Sequence, residues 1–325
     1  MGGIGIVNNP RAARNRRLPE TGPRLARLLG DEGQVLDAET PEQLARALDG
    51  FRAAGVDTLG VNGGDGTCHM VLTAAAAIWG GTPLPRLLVL RGGTMNTLAA
   101  NHGLRGTPEE LLAAELTRRR EGAAPLVVER DLLRVEADGR PPLMGFLFAT
   151  GVAVAFLERF YAVAPRSPQR AFLVVAYAIG SALVGGSFAR ALTRREPLRI
   201  ESDGDEWADQ AYLTLLAGTV PSLGLGFRAL ARCDEQPGFF HAVGVHGSLA
   251  RVVRSLPRVH RGAPWRRRAA LDVVARSLTV EGDEAIRFMV DGDLQPAART
   301  LRLSTGPGLQ VLVMPPRRGK PAAAV

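Results

Sequence analysis

Four short stretches of the 325-residue chain combine glycine, small polar residues and carboxylates in a way that suits phosphate chemistry. The densest is Asn62-Gly63-Gly64-Asp65-Gly66-Thr67, set between an apolar run that reads as a strand and a segment that reads as a helix. Glycines there let the backbone approach a phosphate and accept positive φ. A helix opening behind them offers free N–H groups and the positive end of its dipole. Asp65 adds a carboxylate able to hold Mg²⁺ through water or to take a proton. The second stretch, Val7-Asn8-Asn9-Pro10, directly follows the first apolar run. The third, Gly92-Gly93-Thr94-Met95-Asn96-Thr97-Leu98-Ala99, sits at another strand-to-helix junction, where Thr94 and Asn96 can cap the helix as well as bind a nucleotide. The fourth, Val290-Asp291-Gly292-Asp293, lies near the C-terminus, and Asp-Gly there is also ordinary hairpin chemistry.

In this order the four stretches resemble the catalytic-domain family of the diacylglycerol kinases, which includes soluble bacterial lipid kinases related to sphingosine kinases. The GGDGT loop is shared with NAD kinases and phosphofructokinases, so alone it leaves the phosphate acceptor open. The resemblance implies an ATP-dependent lipid kinase that moves the γ-phosphate onto a lipid hydroxyl in phospholipid metabolism. It implies ATP phosphates on Gly63, Gly64, Asp65, Gly66 and Thr67, with Asn9, Thr94 and Asn96 nearby, and Mg²⁺ at Asp65 and Asp291. Asp293 becomes the leading general base for the lipid hydroxyl, with Asp65 as the alternative. Diacylglycerol, phosphatidylglycerol and a sphingoid base all offer such a hydroxyl. The chain departs from the family pattern at Arg11 to Arg14, where small residues and glycine are usual, at Met70 and Asp293, where Glu is usual, and at Thr97, where Asp is usual. His69 fits a sphingosine-kinase-like variant. Two other readings stay open: an NAD kinase-like nucleotide kinase, and a lipid- or nucleotide-binding protein of attenuated activity.

The elements that must position these residues fall into two groups. Up to about residue 125, apolar runs at 4–8, 34–37, 57–61 and 87–90 alternate with helical patterns, two of them opened by Thr40-Pro41 and Thr107-Pro108. That alternation predicts a parallel sheet wound by helices. Beyond it, strands at 126–135, 143–150, 198–202, 211–217, 239–245, 278–281, 286–290, 300–303 and 309–314 are joined by tight turns such as Asp138-Gly139 and Asp203-Gly204. They predict an antiparallel unit. The expected fold is therefore α/β plus β: a Rossmann-like nucleotide domain over 1–125, completed by a returning strand within 305–325, and a β-sandwich lipid-substrate domain over 126–304.

Composition sets the outer bounds. With 46% hydrophobic and 22% charged residues the chain suits a globular protein. Cys68 and Cys233 show neither paired spacing nor metal-ligand partners, which excludes a disulfide framework and fits a reducing compartment. The start lacks a signal-peptide pattern, so a cytoplasmic protein is expected, peripheral on the inner face of the membrane. The uncharged segment 171–189 is long enough to span a bilayer, but a single span would separate the motifs of one active site, so a buried or membrane-touching helix is expected. The net charge of +8 is carried by arginine, Lys320 being the one lysine. Arg251, Arg254, Arg258, Arg261, Arg266, Arg267 and Arg268 form a basic stretch suited to anionic lipid or simply to solvent. Without interleaved aromatics it does not read as a nucleic-acid platform. Among the apolar residues able to line a lipid slot are Phe146, Phe156, Leu157 and Tyr161, with Met144, Phe148 and Phe160. The expected partners are ATP and a lipid at a membrane surface; a homodimer is compatible with the sequence.

Overall fold

The computed structural model describes residues 2–93, 96–162, 194–208, 210–224 and 227–314. Its first part alternates strand and helix: β1 (Ile4–Asn8), α1 (Ala13–Arg17), α2 (Thr21–Leu29), β2 (Gly33–Asp37), α3 (Pro41–Ala53), β3 (Thr58–Asn62), α4 (Asp65–Trp79), β4 (Arg86–Val89), α5 (Thr97–Asn101) and α6 (Pro108–Arg120). Strands β2, β1, β3 and β4 pair in parallel in that order, so β1 and β3 lie side by side with their C-terminal ends together. Both are buried along their whole length, as expected of strands covered on both faces. The helix starts follow their sequence signals: Thr40 and Thr107 each form a capping box, with Gln43 and Glu110 respectively, ahead of a proline in the first turn.

The second part comprises β5 (Val127–Ala137), β6 (Leu143–Gly145), β7 (Leu147–Thr150), α7 (Val152–Ala162), β8 (Glu196–Ser202), β9 (Asp205–Glu206), β10 (Gln210–Tyr212), β11 (Thr214–Gly218), β12 (Phe240–Val245), α8 (Leu249–His260), β13 (Ala270–Ala275), β14 (Ser277–Val290) and β15 (Asp293–Leu312). These strands pair antiparallel. Leu133, Phe148, Ile200, Leu215, Phe288 and Leu301 bury their side chains in one apolar cluster between them. The architecture is an N-terminal parallel α/β unit followed by an antiparallel β unit. β15 links the two, pairing with β14 and β5 and reaching β4 in parallel at Val311 and Leu87.

Four expectations about strands change. The run 211–217 is two strands, β10 and β11, parted at Leu213 and paired with different neighbours. The run 143–150 is two strands, broken at Phe146, whose N–H is drawn off to the Asp291 carboxylate. The short strands expected at 278–281 and 286–290 are one strand, β14, with a register shift between Glu281 and Ile286. Those expected at 300–303 and 309–314 belong to the single long β15, where a shift between Thr305 and Gly308 absorbs Gly306 and Pro307. Among the described residues no helix is long and apolar enough to cross a membrane. Segment 171–189 lies outside those residues.

Candidate active site

The C-terminal ends of β1 and β3 present Asn8, Asn9 and Asn62 to the loops that follow, and a buried amide network fixes them. Asn62 Nδ2 donates to Asn8 Oδ1 at 2.7 Å, and Asn8 Nδ2 donates to Asp37 Oδ1 at 2.6 Å. Asn15, on α1, donates through Nδ2 to the Asn9 and Asn62 carbonyls at 2.8 and 3.0 Å. Asn8, Asn15 and Asn62 are buried, so each unmade bond would carry a desolvation cost. Asn15 stands in no recognised motif, and its contribution was not legible in the sequence. Its only local signal is a polar residue facing inward on a short helix.

On this frame the glycine loop closes tightly. Asn9 Nδ2 donates to Thr67 Oγ1 at 2.9 Å, and a Cβ on Gly63 would stand 2.5 Å from that same oxygen, so only glycine fits there. The second glycine loop lies directly against the first. A Cβ on Gly93 would approach Gly64 Cα to 2.3 Å, and one on Gly92 would approach the Gly63 nitrogen to 2.8 Å. Asn96 does not cap α5 with its side chain, as the sequence allowed. It takes a left-handed conformation and folds back on Gly93, accepting from its N–H at 3.1 Å and donating to its carbonyl at 3.0 Å. Thr94 lies outside the described residues.

Asp65 supplies the cap of α5 across the cleft. Its carboxylate accepts from the Thr97 N–H at 3.0 Å and the Leu98 N–H at 3.2 Å. Burial pushes the Asp65 carboxyl above its usual range, opposed by those two N–H groups and by the Thr97 side chain. Thr97 therefore supplies donors to Asp65 where the family pattern would place a second carboxylate.

Asp291 and Gly292 form a two-residue turn between β14 and β15, with φ of 47° and 76°. The Asp291 carboxylate accepts from the N–H groups of Phe146 at 3.0 Å and Leu147 at 2.8 Å. Two other Asp-Gly turns do the same: Asp138 accepts from Arg299 and Thr300, and Asp203 from Arg276 and Ser277. The shared device is structural, and it commits both Asp291 oxygens to backbone donors. Asp65 accepts from two backbone N–H groups in the same way, so Asp291 stands beside it as a proposed metal ligand at the end of the cavity. Only burial sets Asp291 apart. Asp138 is exposed and its carboxyl is held below the usual range by the backbone N–H of Thr300, whereas burial raises Asp291 to about 7.

Asp293 follows the turn and faces the glycine loop, with its Cβ 3.8 Å from where a Gly66 side chain would begin. Its carboxylate accepts from Gln295 Nε2 at 3.1 Å. His69 is buried on the inner face of α4, with Nδ1 2.8 Å from the Met144 carbonyl, so the ring donates there and ties α4 to β6. Burial lowers its pKa, which keeps it neutral. Met70, 41% exposed, points to solvent, so the departure at that position lies away from the cleft.

A cavity of about 590 Å³ opens from these loops into the β unit. Gly64, Asp65, Gly66 and Thr67 line one end together with Asp291 and Gly292. Most of the remaining wall is apolar: Phe146, Phe156, Leu157 and Tyr161, with Leu216, Val245, Val252 and Leu256. Met144 and Phe148 belong instead to the packed cores. Gly151 turns the chain from β7 into α7 with φ 59°, and a Cβ there would sit 2.2 Å from the Leu213 carbonyl. Among the described residues no cluster of three or more His, Cys, Asp or Glu side chains could cage a metal ion. Mg²⁺ carried in with a phosphate ligand keeps its waters and needs one or two carboxylates, a need that Asp65, beside the glycine loop, fits.

Glycine loops at strand ends, set against an apolar slot, form an arrangement suited to holding phosphate groups beside an apolar ligand. Residues 4–126 match the family model of the diacylglycerol kinase catalytic domain. None of the curated proteins matches the sequence. Solved structures extend the likeness of fold through the β unit. One, a Bacillus anthracis str. Sterne protein assigned to the diacylglycerol kinases, is 16% identical with a TM-score of 0.69, over 96% of this chain and 97% of its own. A diacylglycerol kinase from the same organism is 14% identical with a TM-score of 0.63, over the same shares of the two chains. Yeast NADH kinase complexed with NADH is 10% identical with a TM-score of 0.52, over 97% of this chain and 84% of its own.

Proposed function

We propose that the chain is a lipid kinase that transfers the γ-phosphate of ATP to the hydroxyl of a diacylglycerol-like lipid, phosphatidylglycerol or a sphingoid base at a membrane surface. The observation that carries this reading is the joining of the Gly63–Thr67 loop to an apolar cavity of about 590 Å³. An acyl chain in the slot would bring its polar end to the phosphates. In this reading 1–125, with the returning end of β15, holds ATP, and 126–304 holds the lipid. The backbone of Gly63 to Thr67 cradles the phosphates, while Asn9, through Thr67, and Asn96, through Gly93, hold the two loops at fixed spacing. When bound with the nucleotide, Mg²⁺ would neutralise phosphate charge, met by Asp65 through water. Asp293, level with Gly66, accepts the hydroxyl proton as the lipid oxygen attacks phosphorus. Phosphoryl transfer needs little beyond such positioning and charge stabilisation.

The test is transfer from γ-labelled ATP into a total lipid extract, beside NAD, with Asp65→Asn in parallel. Labelled lipid that disappears with the variant supports the reading and names the acceptor. Label in NAD alone would make the chain a nucleotide kinase, in line with the likeness of fold to yeast NADH kinase. ATP binding without transfer to either would leave a binding protein.

A further inference from the structure

One wall of the cavity has an outer face with no part in the chemistry above. With 3.6 residues per turn, α8 places Arg251, Arg254 and Arg258 on one arc and Val252, Leu256 and Val259 on the opposite one. The structure follows this division: the three arginines are exposed, and the three apolar residues line the cavity. Beyond the helix, Arg261, Arg266, Arg267 and Arg268 are exposed as well. No Asp or Glu occurs from Gln236 to Leu271.

Some arginines elsewhere have carboxylate partners. Arg118 and Arg119 pair with Glu115, Arg232 with Glu235 and Asp272, and Arg287 with Glu158. Among the described residues, none of the seven arginines between 251 and 268 has a carboxylate within ion-pair distance. Like charges concentrated on one surface repel, and an anionic partner relieves that repulsion.

We propose that the outer face of α8 and the segment 261–268 form the docking surface for anionic lipid headgroups. The choice of lipid rests on the lipid-kinase reading of the cavity. The face docked to headgroups is then one helix diameter, about 10 Å, from the slot that receives the acyl chain. A nucleic acid fits less well, because single strands take stacking platforms between the charges. Trp265, the one aromatic residue among these arginines, lines the cavity and donates through Nε1 to the Ala229 carbonyl at 3.0 Å.

The experiment is co-sedimentation of the full chain with vesicles of phosphatidylcholine, alone or mixed with phosphatidylglycerol. Binding to the mixed vesicles that weakens with added salt is expected, with none to phosphatidylcholine alone. Each arginine near such a surface contributes about a fivefold factor, so Arg254→Glu/Arg261→Glu/Arg268→Glu is expected to lower partitioning by about 100-fold or more. Transfer to a lipid dissolved in detergent micelles is expected to be unchanged in the same variant. Undiminished vesicle binding by the variant, or equal binding to both vesicle types, overturns the proposal. So does tighter binding of a single-stranded oligonucleotide than of the vesicles. Normal transfer in micelles without vesicle binding removes the docking surface and leaves the kinase reading. Charge-dependent vesicle binding without transfer to any lipid does the reverse.

Discussion

At the scale of single residues, two neighbouring aspartates on one turn carry different loads. Asp291 spends its carboxylate on the Phe146 and Leu147 amides, while Asp293 turns to the glycine loop with Gln295 as its side-chain partner. Asp293→Asn keeps the size and that neighbour but cannot accept a proton. It is expected to lower kcat by about 10²–10⁴-fold, with KM for ATP nearly unchanged; steady-state rates decide it, and a retained kcat removes Asp293 as the base. Asp291 governs a different observable. Its folded pKa is raised to about 7 by burial, above the ordinary 3.8, so the folded state binds a proton that the unfolded state has released. The stability it contributes is therefore fully present below pH 4 and is lost as pH rises towards 7. Asp65, raised in the same direction, adds to that fall. Asp272, lowered to about 2 by His241 and Arg232 against its burial, loses its contribution only at far lower pH. His69, His102 and His246, whose pKa values burial lowers, oppose this fall below about pH 6.5, so Asp291 is read from a difference. Urea midpoints of Asp291→Asn between pH 4 and 8 are expected to fall less with pH than those of the unmodified chain, and parallel pH dependences would contradict the assignment.

At the scale of elements, the site is a contact between two strand-to-helix junctions. Gly93→Ala tests it, because the added methyl would meet Gly64 Cα at 2.3 Å and must part the loops. KM for ATP is expected to rise at least about tenfold, the order of effect of small misplacements in a positioning site. Melting temperature is expected to change little, since the clash falls between loops. Unchanged ATP affinity would place the nucleotide elsewhere. Much at this scale was readable in the sequence. Thr40-Pro41 and Thr107-Pro108 carried their capping boxes openly, and the glycine loops occur at strand ends as their spacing required. Strand lengths were not readable. Thr305-Gly306-Pro307-Gly308 has the chemistry of a loop, yet β15 runs through it because a register shift against β5 absorbs the extra residues. Nor was the partner of Asp65. Its bonds to Thr97 and Leu98 cross 32 and 33 residues of sequence, and no local pattern encodes a cap supplied from another element.

At the scale of the whole molecule, two units of different construction share one hydrogen-bonded sheet. A returning C-terminal strand was expected from the sequence, but not the length of the one that returns. β15 runs from the Asp293 turn at the cavity to Val311, which is fully buried between Leu87 of β4 and Val128 of β5. The strand that carries the proposed base thus also closes the parallel sheet, and His69 and Thr73 of α4 add a second tie to Met144 of β6. Units joined by flexible linkers unfold separately, whereas units that share a strand lose each other's pairing together. The described chain is therefore expected to unfold in a single calorimetric transition, with the calorimetric and van 't Hoff enthalpies equal. Val311→Ala removes buried methyl groups at the junction. It should lower stability by roughly 1–3 kcal/mol and shift that single transition as a whole. A split into two transitions, with only one displaced by the variant, would show that β15 belongs energetically to one unit and merely touches the other. The proposed base and the glycine loop would then be held by loop contacts alone, and Val311→Ala would be expected to reduce kcat without altering ATP affinity.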